Sequence, residues 1–419
     1  AVQQSMSRGR QVNTPGRKTL LTMDDRVPGT ELADRLCRFR NRMDCMHPDW
    51  EMAIFFGRIN LYYLTGTIQD GMLVVPRDGQ EEFWVRRSYR RACMESRFPV
   101  IHPMVSFRDA RIGMLHVPPS VHIETGVVPL GLWETFRKHF PVQKAGSLDA
   151  EVAWVRARKS PYEVALLRRA GEIHRTVLEE DVPALLKEGM SEAAFATAVY
   201  ARMVSLGHQG LVRFGSFNTE IEVGQVAFGE NSLYPTSFNG PGGCRGMGPA
   251  APVLGDPCRK LKPGDLVFID NACMVGGYQT DKTMTYVFRG AVPREAEEMH
   301  SRCTGIMEEM ASMLVPGAVP SRIYSSVIEG QEPGFLDHFM GNAEPPVRFL
   351  GHGVGLAVDE PPVIALGFDE PLEEGMAIAL EPKYAFLGVG LVGIENTYLV
   401  TPHGGESITG ENPGLIPIP

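Results

Sequence analysis

The chain has 419 residues, more than the roughly 100–200 residues of one ordinary domain, so its length predicts two domains. Hydrophobic residues make up 43% and charged residues 22% of the sequence, values typical of a globular protein, which exclude large-scale disorder. The net charge of -9 is spread without a basic tract and no apolar run approaches the roughly 18 residues of a membrane span, so neither nucleic acid nor a membrane is the expected partner.

The N-terminal part of the sequence changes character near residue 26. Residues 1–25 are polar and without periodicity, which predicts an extended arm. Residues 26–150 predict an α/β domain, because a helical pattern is followed by a run, 70–85, that indicates two strands around an Asp-Gly turn. The apolar positions of the helical pattern are Leu32, Leu36, Phe39 and Met43.

A second domain is predicted over residues 151–419. It begins with a linker and a long helix, whose start is marked by a cap at Ser160, a proline at position 161 and a capping-box partner at Glu163. Further helical patterns lie near 192–206 and 294–313. Strand patterns prevail between about 211 and 290 and again from 376 to 401. Helices and antiparallel hairpins in this mixture favour the α+β class.

Two predicted hairpins carry pairs of acidic residues. The strand that ends at Asp270 is followed by a turn and by a returning strand that carries Asp281, so a turn centred between Val275 and Gly276 would place the two aspartates opposite each other. In the second hairpin, Glu381 and Glu395 are equidistant from Gly388 and would also face each other.

Two such pairs in one domain are chemically unusual. Opposed carboxylates on neighbouring strands lie about 5 Å apart, where their repulsion destabilises the sheet and raises a carboxyl pKa. Acids on strands are more often solvated, but here Asp270, Glu381 and Glu395 lie within apolar runs. Divalent cations with oxygen ligands would compensate the charge, so the pattern predicts a metal site.

These acids, together with His352 in the segment HGVG, resemble a known ligand pattern. The pita-bread metallopeptidases of the Xaa-Pro aminopeptidase, prolidase and creatinase branch have two aspartates eleven residues apart, a histidine in a His-Gly-x-Gly segment, a glutamate before proline and a glutamate before Asn-Thr. The five positions are filled here by Asp270, Asp281, His352, Glu381 and Glu395, at intervals of 11, 71, 29 and 14 residues. The chain is therefore identified as similar to this family, with a creatinase-type N-terminal domain and a pita-bread catalytic domain.

The resemblance implies a site with two divalent metal ions. It implies that Asp270 binds one ion, that Asp281 and Glu395 bridge both, and that His352 and Glu381 complete the second. Manganese is the first choice for this ligand set, with cobalt, iron or zinc as alternatives. The implied reaction is hydrolysis of short peptides by a hydroxide shared between the ions, with Glu381 as the general base.

The sequence departs from the family at two histidines that contact substrate. Thr236 stands where one is expected and Asp359, seven residues after the metal-binding histidine, where the other is expected. A threonine does not exchange a proton near neutral pH, and an aspartate brings negative charge. Asp359 is therefore interpreted either as a catalytic base or as a carboxylate that orients His352 or a loop. Thr236 is retained as a substrate-binding candidate.

A glycine- and proline-rich stretch, 238–255, follows Thr236 and is expected to shape the substrate site. We expect Arg245 in this stretch, or Arg348, to pair with a substrate carboxylate.

Three functions remain open from the sequence. The first is a metal-dependent aminopeptidase or dipeptidase that acts on short peptides, with proline second. The second is a non-peptidase relative, an amidine hydrolase or a lyase, that uses the same metal cage with Asp359 as base on a small-molecule substrate. The third is a metal-free binding module. The resemblance further implies a homodimer, and seven cysteines without a Cys-x-x-Cys pair favour the reducing cytoplasm.

Overall fold

The computed structural model describes residues 25–113, 116–217, 219, 221, 223–237, 239–411 and 414–419. The predicted N-terminal arm lies almost entirely outside these residues. In the described part of the chain, no helix combines the length and the apolar character needed to cross a membrane.

The N-terminal domain is built on a mixed six-stranded sheet in the order β4-β3-β2-β1-β5-β6. Its strands are β1 Met52–Phe55, β2 Gly71–Pro76, β3 Glu82–Val85, β4 Ile101–Pro103, β5 Ser120–Ile123 and β6 Lys144–Ser147. Its helices are α1 Gly29–Met46, α2 Arg58–Thr65, α3 Tyr89–Glu95, α4 Phe107–Gly113 and α5 Leu130–Arg137. Alternate residues of β1 join different apolar clusters, Ile54 on one face and Phe55 on the other, so both faces of the sheet are buried. The predicted α/β domain and the hairpin of β2 and β3 are confirmed.

The described residues of the C-terminal part form three sheets. The first has four strands in the order β17-β9-β8-β7, the second five in the order β11-β10-β12-β15-β16, and the third is the pair β13-β14. The strands are β7 Gly224–Phe228, β8 Leu266–Val275, β9 Tyr278–Phe288, β10 Phe349–Gly353, β11 Glu360–Ala365, β12 Ala377–Leu380, β13 Lys383–Phe386, β14 Gly390–Gly393, β15 Asn396–Thr401, β16 Gly404–Ser407 and β17 Ile416–Ile418. Mixed helices and antiparallel hairpins confirm the α+β class.

Helices surround these sheets. They are α6 Asp149–Ala157, α7 Pro161–Arg175, α8 Val182–Leu185, α9 Glu192–Leu206, α10 Arg294–Ser312, α11 Pro320–Glu329 and α12 Pro333–Leu336, with a π-helical turn at Thr176–Asp181 and a 3-10 helix at Gly229–Leu233. The capping box predicted at the start of α7 is present: the Ser160 hydroxyl accepts from the Glu163 N–H, and the Glu163 carboxylate accepts from the Ser160 N–H.

Two sequence predictions about this region are wrong. The expected linker before α7 is mostly the helix α6, whose apolar residues Val152 and Val155 are buried. The expected strands between 211 and 290 are limited, in the described residues, to β7, β8 and β9. The glycines and prolines that follow residue 234 favour irregular backbone over strand there. The predicted boundary at residue 150 falls within α6 and stays a prediction.

The N-terminal domain contacts the hairpin of β8 and β9 directly. The fully buried guanidinium of Arg35 on α1 donates to the Tyr278 hydroxyl at the start of β9, over 3.0 Å. The Tyr62 hydroxyl of α2 donates to the Gly276 carbonyl in the turn of this hairpin, over 2.8 Å. The turn of the first acidic hairpin is therefore held by the other domain.

Candidate metal centre

The first acidic hairpin has a different register from the predicted one. Asp270 lies opposite Thr283, and Asp281 lies opposite Ala272, so the two aspartates are diagonal neighbours. The reason is the turn, which is centred between Gly276 and Gly277; both have positive φ, of 59° and 85°, as a two-residue hairpin turn requires. The predicted register is wrong by two residues, but a shift of two keeps both carboxylates on the same face of the sheet.

The second acidic hairpin has the predicted register. Lys383 lies opposite Gly393 in the pair β13-β14, and Leu380 lies opposite Asn396 in the pair β12-β15, both consistent with a centre at Gly388. Glu381 and Glu395 occupy the positions between these two pairs, where the hairpin leaves one sheet for the other. The Glu395 N–H bonds to the Thr283 carbonyl of β9 over 3.2 Å, which joins the two acidic hairpins.

His352 on β10 completes the cluster. Its Nε2 lies 3.4 Å from Glu381 Oε1, 3.7 Å from Glu395 Oε1 and 4.0 Å from Asp281 Oδ2. Its Nδ1 lies 3.2 Å from the Gly353 carbonyl oxygen, which can only accept, so Nδ1 carries a proton, and Nε2 is the ring nitrogen that faces the carboxylates. The structure thus brings all five predicted ligands together, in two groups that share Glu395.

A lysine that the sequence analysis did not single out also lies in this cluster. Lys383 Nζ donates to Asp270 Oδ2 over 3.0 Å, to Glu381 Oε2 over 2.8 Å and to Glu395 Oε2 over 2.9 Å. Its side chain is fully buried. A signal existed in the sequence, because alternate residues of an extended segment point to one side, and Lys383 is two residues after Glu381.

The pKa values of the cluster reflect crowded, buried charges. Burial raises the pKa of Asp281 well above its usual value, and the charge of Glu395 raises it further. Burial likewise raises the pKa of Glu395 to about 8. Burial would lower the pKa of His352, but the carboxylates around it raise it to about 10. Lys383 and His352 together outweigh burial at Glu381 and lower its pKa to about 2, which disfavours Glu381 as a proton carrier.

The two groups of ligands differ in how well they fit a divalent ion. Ligand atoms about 2.0–2.2 Å from one ion lie at most about 4.4 Å apart, and the Nε2 distances from His352 to Asp281 and Glu395 meet this limit. Glu395 Oε1 is buried without a hydrogen-bond partner among the described residues, as expected for an atom that binds a metal. Asp281, His352 and Glu395 therefore fit a divalent ion. The group of Asp270, Glu381 and Glu395 instead surrounds the Lys383 ammonium.

The cluster forms one wall of a cavity of about 470 Å³, a volume typical of small-ligand sites. Its other walls combine apolar and polar side chains, which include Val212, Phe214, Phe349, Val363, Gln225 and Asn239. Gln225 was also missed by the sequence analysis. Gln225 on β7 lies directly opposite Asp270 on β8, and its Nε2 donates to the Thr236 hydroxyl over 3.3 Å.

The predicted substrate residues lie at different distances from this cavity. Thr236 contacts it through Gln225. Arg245 pairs with Asp256 at 3.4 Å, and neither Arg245 nor Arg348 is among the described residues that line the cavity. Their pairing with a substrate carboxylate stays a prediction.

Asp359 lines the cavity, but its carboxylate is already engaged. It accepts hydrogen bonds from the N–H groups of Gly215 and Ser216 and from the Ser216 hydroxyl. These contacts favour the interpretation that Asp359 orients a loop over the interpretation that it is a base. The loop it holds includes Ser216 and Phe217, which also line the cavity.

Asp359 variants separate these two roles. If Asp359 only holds the loop, Asp359→Ala should raise KM several-fold and Asp359→Asn, which keeps an acceptor oxygen, should raise it less, both with kcat nearly unchanged. A general base would lose about 10²–10⁴-fold in kcat with either substitution. Steady-state kinetics of both variants decide, and a collapse of kcat in Asp359→Asn would contradict the loop role.

Metal-free protein should lose stability as the pH rises from about 7 to about 8.5. The folded state raises the pKa of His352 to about 10 and that of Glu395 to about 8, so each group binds its proton more tightly in the folded than in the unfolded chain. The stabilisation that these protons provide is lost as the pH rises towards the two pKa values. Unfolding temperatures in chelator measure the slope. His352→Gln should flatten it, and an unfolding temperature of the unsubstituted protein that stays constant or rises would contradict the prediction.

Comparisons with known proteins agree with this geometry. The sequence model described as "Metallopeptidase family M24" matches residues 165–402, which contain all five ligand positions. The model described as "Creatinase/Prolidase N-terminal domain" matches residues 35–158.

Individual relatives cover most of the chain. The Xaa-Pro dipeptidase of Pyrococcus furiosus is 26% identical over 356 residues, which are 84% of this chain and 91% of the relative. An uncharacterized peptidase of Staphylococcus aureus is 25% identical over 361 residues, 84% of this chain and 92% of the relative. Among solved structures, the prolidase of Pyrococcus horikoshii OT3 superposes with a TM-score of 0.75 at 23% identity, covering 91% of this chain and all of that chain. The X-Pro aminopeptidase of Thermotoga maritima gives 0.73 at 20% identity, covering 88% and 98%.

Proposed function

The chain belongs to metallopeptidase family M24 and is a metal-dependent hydrolase, and from this premise we propose that it cleaves short peptides with proline in the second position. The observation that carries the proposal is the convergence of Asp281, His352 and Glu395 on the wall of a cavity of about 470 Å³. A cavity of this size suits a dipeptide or the first residues of a short peptide. The relative from Pyrococcus furiosus, named Xaa-Pro dipeptidase, supports the same substrate class.

We assign the metal-binding role to Asp281, His352 and Glu395. A divalent ion bound there would polarise the scissile carbonyl and lower the pKa of a water molecule. The mainly carboxylate ligands favour manganese, with cobalt, iron or zinc as alternatives. The family resemblance implies two ions, and the Lys383 ammonium among the ligands bears directly on that number.

The chain's own residues would then orient the peptide. The apolar side chains of Phe214, Phe349 and Val363 offer a wall for the proline ring or the first side chain. Glu381 remains the proposed base, although the neighbouring Lys383 and His352 favour its charged form over one that holds a proton. In the overall reaction water adds across the peptide bond, which releases the carboxylate of the first residue and the amine of proline.

The non-peptidase alternative depended on Asp359 as a base. Its carboxylate accepts from two backbone N–H groups and one hydroxyl, so no observation favours that role. The relatives are named peptidases, which also favours peptide cleavage.

We also propose a cytoplasmic homodimer. All seven cysteines are free thiols, in agreement with a reducing compartment. The dimer rests on the family resemblance, and light scattering coupled to size-exclusion chromatography would test it.

The substrate proposal is tested by mass spectrometry of peptides incubated with manganese-loaded protein. Ala-Pro and Met-Pro dipeptides and a longer Xaa-Pro peptide are compared with matched Xaa-Ala peptides. We expect release of the first residue from the Xaa-Pro peptides at a rate at least about tenfold higher than from the Xaa-Ala peptides. Equal rates would contradict the proline preference, and no cleavage of any peptide would contradict peptidase function.

A further inference from the structure

The Lys383 ammonium is fully satisfied by the predicted metal ligands. An ammonium has three N–H donors, and here each bonds to a different carboxylate, those of Asp270, Glu381 and Glu395, over 2.8–3.0 Å. The lysine side chain and the Glu395 side chain are almost completely inaccessible to solvent, at 0% and 1%. Hydrogen bonds between buried, oppositely charged groups are strong, so they hold the ammonium and the three carboxylates together in the protein interior.

The three carboxylates that surround the ammonium are one of the two groups that gather ligand atoms within 4.8 Å, that of Asp270, Glu381 and Glu395. Any cation bound by the same three oxygens would touch the ammonium and be repelled by its charge. Glu395 divides its two oxygens between the groups. Its Oε2 accepts from Lys383, whereas its buried Oε1 has no hydrogen-bond partner in the described part of the chain and lies 3.7 Å from His352 Nε2.

We propose that Lys383 replaces one of the two expected metal ions, so that the chain binds a single divalent ion at Asp281, His352 and Glu395. The inference refines the proposed metal centre and rests on it. With His352 neutral, the four carboxylates, the ammonium and one divalent ion sum to a charge of -1, and a second ion would give +1, so the contacts and not the total charge carry the inference. A second ion among Asp270, Glu381 and Glu395 would lie against the Lys383 ammonium, which already bonds to all three carboxylates, and two adjacent buried cations are costly.

The backbone around Lys383 holds the ammonium in this position. The Lys383 carbonyl accepts from the Met340 N–H over 2.8 Å, and Lys383 lies opposite Gly393 on β14. A Cβ at Gly393 would lie 2.6 Å from Lys383 Cα and 3.1 Å from its Cγ, so the glycine provides the space that the lysine occupies. If the ammonium left the carboxylates while its stem stayed in place, it would be buried without a partner.

Metal counting tests the inference without reference to catalysis. Protein saturated with manganese and freed of excess ion is analysed by inductively coupled plasma mass spectrometry. We expect about one ion per chain for the unsubstituted protein and about twice as much for Lys383→Met, which keeps the length of the stem and removes the charge. Lys282→Met is the matched control: Lys282 is also fully buried and adjoins Asp281, but its Nζ bonds to Asn396 and pairs with Glu179. The Lys282→Met variant should bind as much manganese as the unsubstituted protein.

Electron paramagnetic resonance provides a second readout. An isolated manganese ion is expected in the unsubstituted protein, and an exchange-coupled pair in Lys383→Met. Two ions in the unsubstituted protein would overturn the inference, as would a single ion in a folded Lys383→Met variant or no ion in either protein. Because no peptide is used, failure to cleave Xaa-Pro substrates would contradict the proposed substrate and leave the metal count unaffected.

Discussion

Replacing Asp281 with asparagine is expected to lower both metal affinity and peptide hydrolysis by more than about 100-fold, since even residues that only orient metal ligands contribute about 10–100-fold. Asparagine keeps the shape of the side chain and the oxygen that can accept from the Lys282 N–H over 3.1 Å. It removes the negative charge next to His352 and Glu395. A divalent ion bound by these three residues requires that charge. The measurements are ions bound per chain and kcat/KM on an Xaa-Pro dipeptide.

Asp265→Asn provides the control for Asp281→Asn. Asp265 is also a buried carboxylate next to the first acidic hairpin, but it pairs with Arg259 and accepts from the Lys262 N–H. We expect unchanged metal content in this variant. An Asp281→Asn protein that retains its metal and its activity would show that Asp281 is not a ligand.

Lys383→Met is expected to destabilise the metal-free protein by roughly 3–5 kcal/mol, the effect of removing one partner of a buried ion pair. Without the ammonium, Asp270, Glu381 and Glu395 repel one another in a buried space. This repulsion would raise the pKa values of the three carboxyl groups in the folded state above those in the unfolded chain. The folded protein would then be stabilised by bound protons at low pH, so the variant should lose more stability near pH 8 than near pH 5.5. Unfolding in chelator at both pH values measures this, and added manganese should restore most of the loss.

Lys159→Met separates this effect from the loss of any buried lysine. Lys159 is fully buried beside Glu360, at 3.5 Å, and away from the predicted ligands. Manganese should not restore the stability of Lys159→Met. If Lys383→Met unfolds in chelator at the same temperature as the unsubstituted protein, the ammonium does not stabilise the carboxylate cluster.

Local signals in the sequence predicted local structure well. Ser160 and Glu163 form a capping box with their own backbone, and the helix that follows begins at the predicted residue. The helical pattern near 192–206 corresponds to α9. Such features depend on neighbours a few residues away, so the sequence contains nearly all the information they need.

The arrangement of the acidic cluster was predictable only in part. The register of the hairpin with Glu381 and Glu395 follows from the symmetry of its turn, whereas that of the hairpin with Asp270 and Asp281 depends on Gly276 and Gly277. Placing the turn at these two glycines would have given the observed register.

Long-range contacts explain the remaining differences. His352 reaches the acids from β10, a strand far from them in sequence, so only the family resemblance pointed to it. Predicting that Lys383 lies in the cluster would have required both the alternation of side chains along its strand and the knowledge that the two acidic hairpins meet. No single segment of the sequence reveals that meeting. The contacts of Asp359 with Gly215 and Ser216 span more than a hundred residues and have no signature in the sequence.

The positions of the two glutamates are fixed by main-chain bonds to strands that carry other ligands. The Glu381 N–H bonds to the Leu350 carbonyl on β10, and the Glu395 N–H bonds to the Thr283 carbonyl on β9. Exchange of these two amide hydrogens with deuterated solvent therefore requires the strands themselves to separate, and we expect both to be among the slowest in the domain. Their protection should persist in chelator, because the polypeptide preorganises the carboxylates before any ion arrives.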